Sequence, residues 1–184
     1  MNKTEALDLL KRNLKQEKLI KHCLAVAKIM QAIAEVLKLS EEENVKWQVT
    51  GLLHDLDYES CSMKEHGLKT AELLKGKLDE EQLHAIKAHN YEYTQVMPKS
   101  KLDLALLIAD QLSGLIIATA LVMPTKKLSE VKLSTLQKKF KQRDFARSCN
   151  RNKILLCQRI GINLDKLLEI SLSALQAIAS DLGL

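Results

Sequence analysis

Aromatic residues, proline and glycine are all scarce in this 184-residue sequence. Only 3% of the residues are aromatic, and there are two prolines and six glycines. Sheets favour aromatic and β-branched side chains, whereas the leucine, alanine, lysine and glutamate that dominate here favour helices. A chain of this length can bury one sizeable core. The composition therefore predicts an all-α protein that folds as a compact, single-domain helical bundle.

The cysteines are widely spaced and include no C-x-x-C pair. They are Cys23, Cys61, Cys149 and Cys157. Such spacing is untypical of a disulfide framework or of a zinc ribbon. The first residues, Met1 to Asp8, contain no apolar stretch like that of a secretory signal. We therefore expect reduced thiols and a cytoplasmic location.

One apolar stretch, Leu104 to Met123, is long enough to resemble a membrane span. Asp110, Gln111 and Ser113 interrupt its middle, and an ionised aspartate is costly in lipid. A central buried helix of a soluble bundle explains the stretch better. No membrane partner is therefore expected.

Positive charge is concentrated between Lys126 and Lys153, although the net charge of the chain is only +5. This region has ten lysines and arginines against Glu130 and Asp144. A solvated helix face is the simplest interpretation, and an anionic partner is the alternative. Nucleic acid is not the expected partner, because the region lacks aromatic residues interleaved for base stacking.

The hydrophobic pattern predicts helices along the whole chain. Ser40 followed by Glu43 is typical of a capping box, and Asp79 can cap a later helix. Gly161 and Pro124 are typical of helix ends. The predicted helices cover about residues 3–13, 17–39, 41–54, 64–75, 80–89, 102–122, 133–140, 143–146, 150–160 and 164–182.

Six polar residues lie on apolar stripes or at the ends of five predicted helices. They are His22, His54, Asp55, His66, His89 and Asp110. A single such histidine is usually a core residue with a satisfied hydrogen bond. Together, however, they can point to one centre, as ligands do in helical bundles. Imidazole and carboxylate suit zinc, manganese or iron, and six ligands are enough for one six-coordinate ion or for two ions sharing a carboxylate.

The ordered set His22, His54-Asp55 and Asp110 resembles the H…HD…D signature of the HD superfamily of metal-dependent phosphohydrolases. His66 and His89 look like the extra ligands of the H…HD…H…H…D variant, which holds two metals. Three further stretches, 108–114, 120–124 and 138–141, are similar to uncharacterised HD-domain hydrolases of about this length. The resemblance implies a single HD domain over 1–184, with a metal-site core at about 17–123 and a helical extension at about 124–184 packed on it.

The resemblance also implies how the metal ligands are shared. His22, His54, Asp55 and Asp110 would hold the first divalent ion, and Asp55 would bridge to a second ion held by His66 and His89. One or two ions are implied, among manganese, iron, magnesium, cobalt, nickel and zinc.

The chain departs from the family pattern in three places. Gln111 follows Asp110 where the subfamily has glutamate, which predicts the loss of a charge next to the ligands. Leu56-Asp57-Tyr58 replaces the Ile-Gly-Lys of the dinuclear phosphodiesterases, and the Gly-Tyr-Pro motif of the cyclic-dinucleotide branch is missing. Cyclic-dinucleotide hydrolysis is therefore not expected.

We therefore predict a hydrolase that cleaves a phosphate ester of a small molecule, a nucleotide or a phosphomonoester, with metal-activated water. Asp55 or Asp57 would orient the water or accept its proton. Lys87 could contact phosphate, although a solvent-exposed lysine is the simpler interpretation. His84 is interpreted as a histidine at the surface or behind the ligands.

Two other functions fit the same pattern of residues. Some HD-fold di-iron oxygenases share the six-ligand order and activate dioxygen instead. A non-catalytic binding module, stabilised by its metal, is the second alternative. Metal identity and oxygen uptake would separate an oxygenase from a hydrolase, and the substrate and the oligomeric state are left open.

Overall fold

Eleven α-helices and two short 3₁₀ helices make up the regular structure in the computed structural model, which describes residues 1–184. The prediction of an all-α fold is confirmed, since the chain contains no β-strand beyond one isolated bridge. The α-helices are α1 (Lys3–Asn13), α2 (Glu17–Val36), α3 (Glu41–Leu53), α4 (Leu68–Leu73), α5 (Glu80–Ala88), α6 (Tyr91–Thr94), α7 (Lys101–Leu121), α8 (Leu133–Lys141), α9 (Arg151–Leu155), α10 (Leu164–Gln176) and α11 (Ala179–Leu182). The 3₁₀ helices are Leu128–Glu130 and Leu156–Ile160.

Side-chain caps fix the starts of the helices that carry the candidate site. Asp79 caps α5 in a full capping box with Gln82, as the sequence predicts. Ser40 accepts a hydrogen bond from the Glu43 amide at the start of α3, but only this half of the predicted box forms. The Glu43 carboxylate instead lies 3.6 Å from the Lys46 ammonium.

The predicted helix over 64–75 is wrong at its start. Only Leu68–Leu73 is helical, because Gly67 before it adopts a φ of +84° that ends any continuous helix. A side chain at this position would also meet the Ile86 carbonyl oxygen at 2.8 Å. His66 therefore lies in a turn, and Leu73 at the end of α4 is half-exposed.

Three further boundaries in the second half of the chain differ from the predictions. The predicted loop between Asn90 and Ser100 contains the single helical turn α6. The predicted short helix at 143–146 is a series of turns, in which Ala146 has a positive φ. The closing helix breaks between α10 and α11 around Ala177 and Ile178.

Helix α7 lies at the centre of the core. Most of its residues are buried, and they form one apolar cluster with residues of α2, α3, α5 and the C-terminal helices. By length and composition α7 could cross a membrane, but 67% of its apolar window is buried inside the protein. That burial is typical of the core helix of a soluble protein.

The C-terminal region packs on the same core as the ligand-bearing helices. Ile154 of α9 and Leu168 and Leu175 of α10 are buried in the cluster that contains α2 and α7. A second, smaller cluster joins α1, α3, α4 and α5 on the other side of α2. Residues 124–184 are therefore held against the helices that carry the predicted ligands.

Gly51 of α3 permits the close approach of α3 to α2, and we predict that Gly51→Ala destabilises the fold. The added Cβ would lie 3.0 Å from both the Ala27 Cα and the Met30 Cγ. Overpacking of about 1–3 kcal/mol should outweigh the helix-propensity gain of up to about 1 kcal/mol. Chemical denaturation measures the change. Gly114→Ala in α7 is the control, because its Cβ meets only the Cys149 Sγ; an equal change in both variants would contradict the prediction.

Candidate metal centre

The structure brings all six predicted ligand residues together at one point. His22 comes from the second turn of α2, and Asp110 comes from the middle of α7. His54 and His89 are the C-terminal caps of α3 and α5. Asp55 follows α3 directly, and His66 lies in the turn before α4. The adjacent side chains of His54 and Asp55 face one centre at the end of α3, where the His54 Nε2 lies 3.1 Å from the Asp55 Oδ1.

Asp55 is the middle of the cluster. Its Oδ1 lies 3.1 Å from the Nε2 of His54, 3.3 Å from that of His66 and 3.5 Å from that of His89. Its Oδ2 lies 3.5 Å from the Nε2 of His22. The Asp55 carboxylate therefore faces all four imidazoles.

Asp110 closes the other side of the cluster. Its Oδ1 is 3.2 Å from the His22 Nε2 and 4.0 Å from the His54 Nε2. Two ligand groups result, each with its donor atoms within 4.8 Å of one another: His22, His54 and Asp110, and Asp55, His66 and His89. Asp55 lies between the two groups, as a shared carboxylate would.

All four imidazoles use Nδ1 for a hydrogen bond that points away from the centre. His54 bonds the Gly51 carbonyl at 2.8 Å, and His89 bonds the Ile86 carbonyl. His66 bonds the Asp57 carboxylate at 2.7 Å, and the His22 Nδ1 lies 3.2 Å from the Ser113 hydroxyl. Because these acceptors take the Nδ1 proton, the Nε2 of each neutral ring is left with a lone pair directed inward.

The inward nitrogens are incompletely satisfied by protein groups. The His54 Nε2 is buried and has no hydrogen-bond partner. The Nε2 atoms of His66 and His89 face each other at 2.9 Å, so two lone pairs would meet there unless a proton or a cation lies between them. Nitrogen lone pairs without a partner, beside two carboxylates, suit one or two divalent ions with nitrogen and oxygen ligands.

The pKa values of the cluster describe its protonation in the absence of an ion. Burial lowers the pKa of His54 to about 4, so its ring is neutral and available as a ligand. For His66, burial is outweighed by hydrogen bonds to Asp55 and Asp57, which raise the pKa to about 9. At Asp110, burial is outweighed by the hydrogen bond to His22 and by the charge of that ring, which lower the pKa of Asp110 to about 2. The neighbouring imidazoles also lower the pKa of Asp55, so both carboxylates stay ionised.

The structure places Asp57 behind the cluster and not at the wall of the cavity above it, where the predicted role of handling water would need it. Its side chain is fully buried, and its Oδ2 accepts hydrogen bonds from the amides of Gly67 and Thr70, while its Oδ1 holds His66. The carboxylate therefore caps the start of α4 and fixes the orientation of a ligand. The sequence interpretation missed this because the partners come from a turn ten residues away.

A cavity of about 510 Å³ opens above the cluster. Five of the six predicted ligand residues reach its wall, whereas His54 lies beneath. The other lining residues are Leu19, Tyr58, Met63, Asn90, Glu92, Tyr93, Gln111, Ser148, Asn150 and Lys153. Ser148, Asn150 and Lys153 belong to the C-terminal region, and no pattern in the sequence indicates their place here.

The structure does not place Lys87 at this cavity. It borders a separate depression with Lys75 and Leu83. Lys87 and His89 are two residues apart on α5, so their side chains point to nearly opposite sides. His84 also lies away from the cavity, with its Nδ1 3.0 Å from the Asp103 carboxylate at the start of α7.

Gln111, which stands where the subfamily has a charged glutamate, makes two side-chain hydrogen bonds at the site. Its amide nitrogen donates to the Asp110 Oδ2 at 2.7 Å, and its amide oxygen accepts from the Asn150 backbone N–H at 2.7 Å. A glutamate could accept the second bond but could not donate the first. Gln111 therefore connects a predicted ligand to the start of α9.

Cys23 is a buried neighbour of the cluster that the sequence interpretation did not consider as a ligand. It lies within reach of His54 and Asp55. Burial, together with the charges of Asp55 and Asp110, raises the pKa of its thiol well above the ordinary value. Cys23 is also fully buried among apolar residues of α1, α3 and α5, so it packs as a core residue beside the cluster.

Comparison with known families gives one match. A family model described as HD domain matches residues 19–115, more than half of the chain. All six residues of the cluster lie within this range, whereas Ser148, Asn150 and Lys153 lie beyond it. No curated protein and no solved structure gives a significant match.

We predict that Asp57→Asn weakens metal binding about 10–100-fold, because loss of the carboxylate behind a ligand histidine has effects of that size. Titration of the metal-free protein with manganese, followed by calorimetry, measures the affinity. His84→Gln is the control, since His84 pairs with Asp103 outside the cluster. Equal affinities of Asp57→Asn and the parent protein would contradict the assignment.

We also predict that metal binding at pH 7 releases protons, of which His66 supplies about one. With a pKa of about 9, His66 is protonated at pH 7 in the metal-free protein, and a cation at Nε2 must displace that proton. Affinity should therefore rise with pH up to about 9 and then level off. Calorimetry in buffers of different ionisation enthalpy counts the protons; a heat independent of buffer would contradict the prediction.

Proposed function

The chain belongs to the HD domain family, and from this we propose that it is a metal-dependent phosphohydrolase that cleaves a phosphate ester of a small molecule, a nucleotide or a phosphomonoester. Proteins with this domain are mostly metal-dependent phosphohydrolases. The observation that carries the proposal is the convergence of four Nε2 atoms and two carboxylates at the base of an open cavity.

The ligand residues fall into two sets around Asp55. His22, His54 and Asp110 would hold one ion, His66 and His89 would hold the other, and Asp55 would touch both. Divalent ions at such a site lower the pKa of water and neutralise charge on a phosphoryl group. Asp55 reaches the cavity wall between the two sets, so it orients the attacking water, whereas the buried Asp57 only positions His66.

The cavity supports a small substrate. Its volume of about 510 Å³ lies within the range of about 300–1,000 Å³ that is usual for small-molecule sites. Tyr58, Met63 and Tyr93 are about half-exposed at its wall, where they can cover the non-phosphate part of a substrate. Asn90 and Asn150 offer amide groups on the same wall.

The experiment is an assay of phosphate release from nucleoside monophosphates and sugar phosphates, with protein purified without chelator. We expect release that requires manganese, iron, cobalt, nickel or magnesium and that stops when a chelator removes the metal. Asp110→Asn should lower kcat/KM at least about 100-fold, because it removes a ligand charge and the acceptor of Gln111.

The control for this assay is His84→Gln, which leaves the cluster intact. No release with any of these metals would contradict the proposal. An iron-loaded protein that consumes dioxygen instead would identify an oxygenase, and a metal-loaded protein that does neither would fit a binding module.

A further inference from the structure

Lysine and arginine are almost absent from the candidate active site. Lys153 is the only one of either kind among the residues that line the cavity. The same wall carries the carboxylates of Asp55, Glu92 and Asp110. Since a phosphate ester is an anion, these carboxylates repel it wherever a metal does not neutralise them. Lys153 is thus the single lysine or arginine that a bound anion can meet inside the cavity.

Lys153 is held rigidly although it belongs to the C-terminal region. Its backbone amide donates to the side chain of Asn150, which caps α9. The Asn150 amide in turn bonds Gln111, the neighbour of Asp110. Ile154, the next residue, is buried in the main core. The position of Lys153 is therefore fixed relative to the ligand cluster by two hydrogen bonds and by core packing.

The Lys153 ammonium has one carboxylate partner, which is a weak one. Glu92 Oε2 lies 2.7 Å from Nζ, and the Tyr91 ring lies 5.0 Å away. The Lys153 side chain is only 9% exposed, whereas that of Glu92 is 46% exposed. A pair with a solvated carboxylate stabilises only weakly, while withdrawing an ammonium from water is more costly. The ion pair alone is therefore a poor reason to bury a lysine at this wall.

We propose that Lys153 binds the anionic phosphate group of the substrate, exchanging Glu92 for it, so that the C-terminal region completes the active site. This inference rests on the proposed phosphohydrolase function. Lys153 acts as a substrate-binding residue, and Glu92 holds the ammonium in place while no anion is bound. The family match ends at residue 115, so the residue that binds phosphate lies outside the part of the chain that carries the metal ligands.

Inorganic phosphate is the probe, and its binding to the manganese-loaded protein is measured by calorimetry. Lys153→Met should raise the Kd for phosphate about tenfold, because it removes a charged hydrogen-bond donor, and Lys153→Arg should restore most of the affinity. Glu92→Gln should lower the Kd about twofold to fivefold, because the ammonium loses its competing partner. When Glu92→Gln is combined with Lys153→Met, it should no longer lower the Kd for phosphate.

The matched control is Lys166→Met, which removes an equal charge and one ion pair, with Glu169, away from the cavity. It should leave the Kd unchanged, and thermal unfolding checks that every variant is folded. If Lys153 only joins α9 to α6, Lys153→Met and Glu92→Gln will lower the Tm together and leave the Kd unchanged, which overturns the inference alone. Absence of phosphate binding by the metal-loaded parent protein overturns the phosphohydrolase proposal as well.

Discussion

The hydrogen bond from Nδ1 of each of four histidines determines what the centre of this protein can bind. The acceptors are carbonyls near the ends of α3 and α5, the carboxylate of Asp57 and the hydroxyl of Ser113. Each bond fixes a tautomer and turns Nε2 inward, towards Asp55. Without a cation the inward atoms are poorly satisfied, since the buried His54 Nε2 has no partner. A divalent ion would satisfy these inward lone pairs, so the site favours binding of a cation.

Helix ends and helix packing supply the precision that such a site needs. His54 and His89 occupy C-terminal caps, where the last carbonyls of the helix are free to accept imidazole protons. His22 lies in the second turn of α2 and Asp110 in the middle of α7, two helices that pack together in the main core. Gly51 lets α3 approach α2 closely enough for His54 to reach His22, whose ring centroid is 5.3 Å away. The packing of the apolar core therefore holds the ligand nitrogen and oxygen atoms close together despite their mutual repulsion.

Much of the ligand set could be predicted from the sequence, because a histidine or aspartate on an apolar stripe conflicts with its surroundings and needs a reason. The position of His66 in a turn was also within reach, since Gly67 marks a place where a helix ends. Helical geometry alone excludes Lys87, which is two residues from His89 on the same helix. These features follow from the spacing of residues along the chain and can therefore be predicted from the sequence.

The remaining features depend on contacts between distant segments. In the sequence, Asp57 resembles a second carboxylate that could bind water. In the structure, both of its oxygens already accept hydrogen bonds, from the amides of Gly67 and Thr70 and from the His66 ring. Lys153 and Asn150 lie about forty residues beyond Asp110 in a basic region that composition describes as solvated surface. Only the packing of α9 on α7 and the Gln111–Asn150 bond bring them to the cavity.

Anomalous diffraction from crystals of the protein loaded with manganese tests the central claim most directly. We expect one or two peaks within about 2.0–2.3 Å of inward Nε2 atoms, with Asp55 and Asp110 as oxygen ligands. All four Nδ1 atoms should keep their outward hydrogen bonds. A cluster without any peak, or an ion bound through Nδ1, would contradict it.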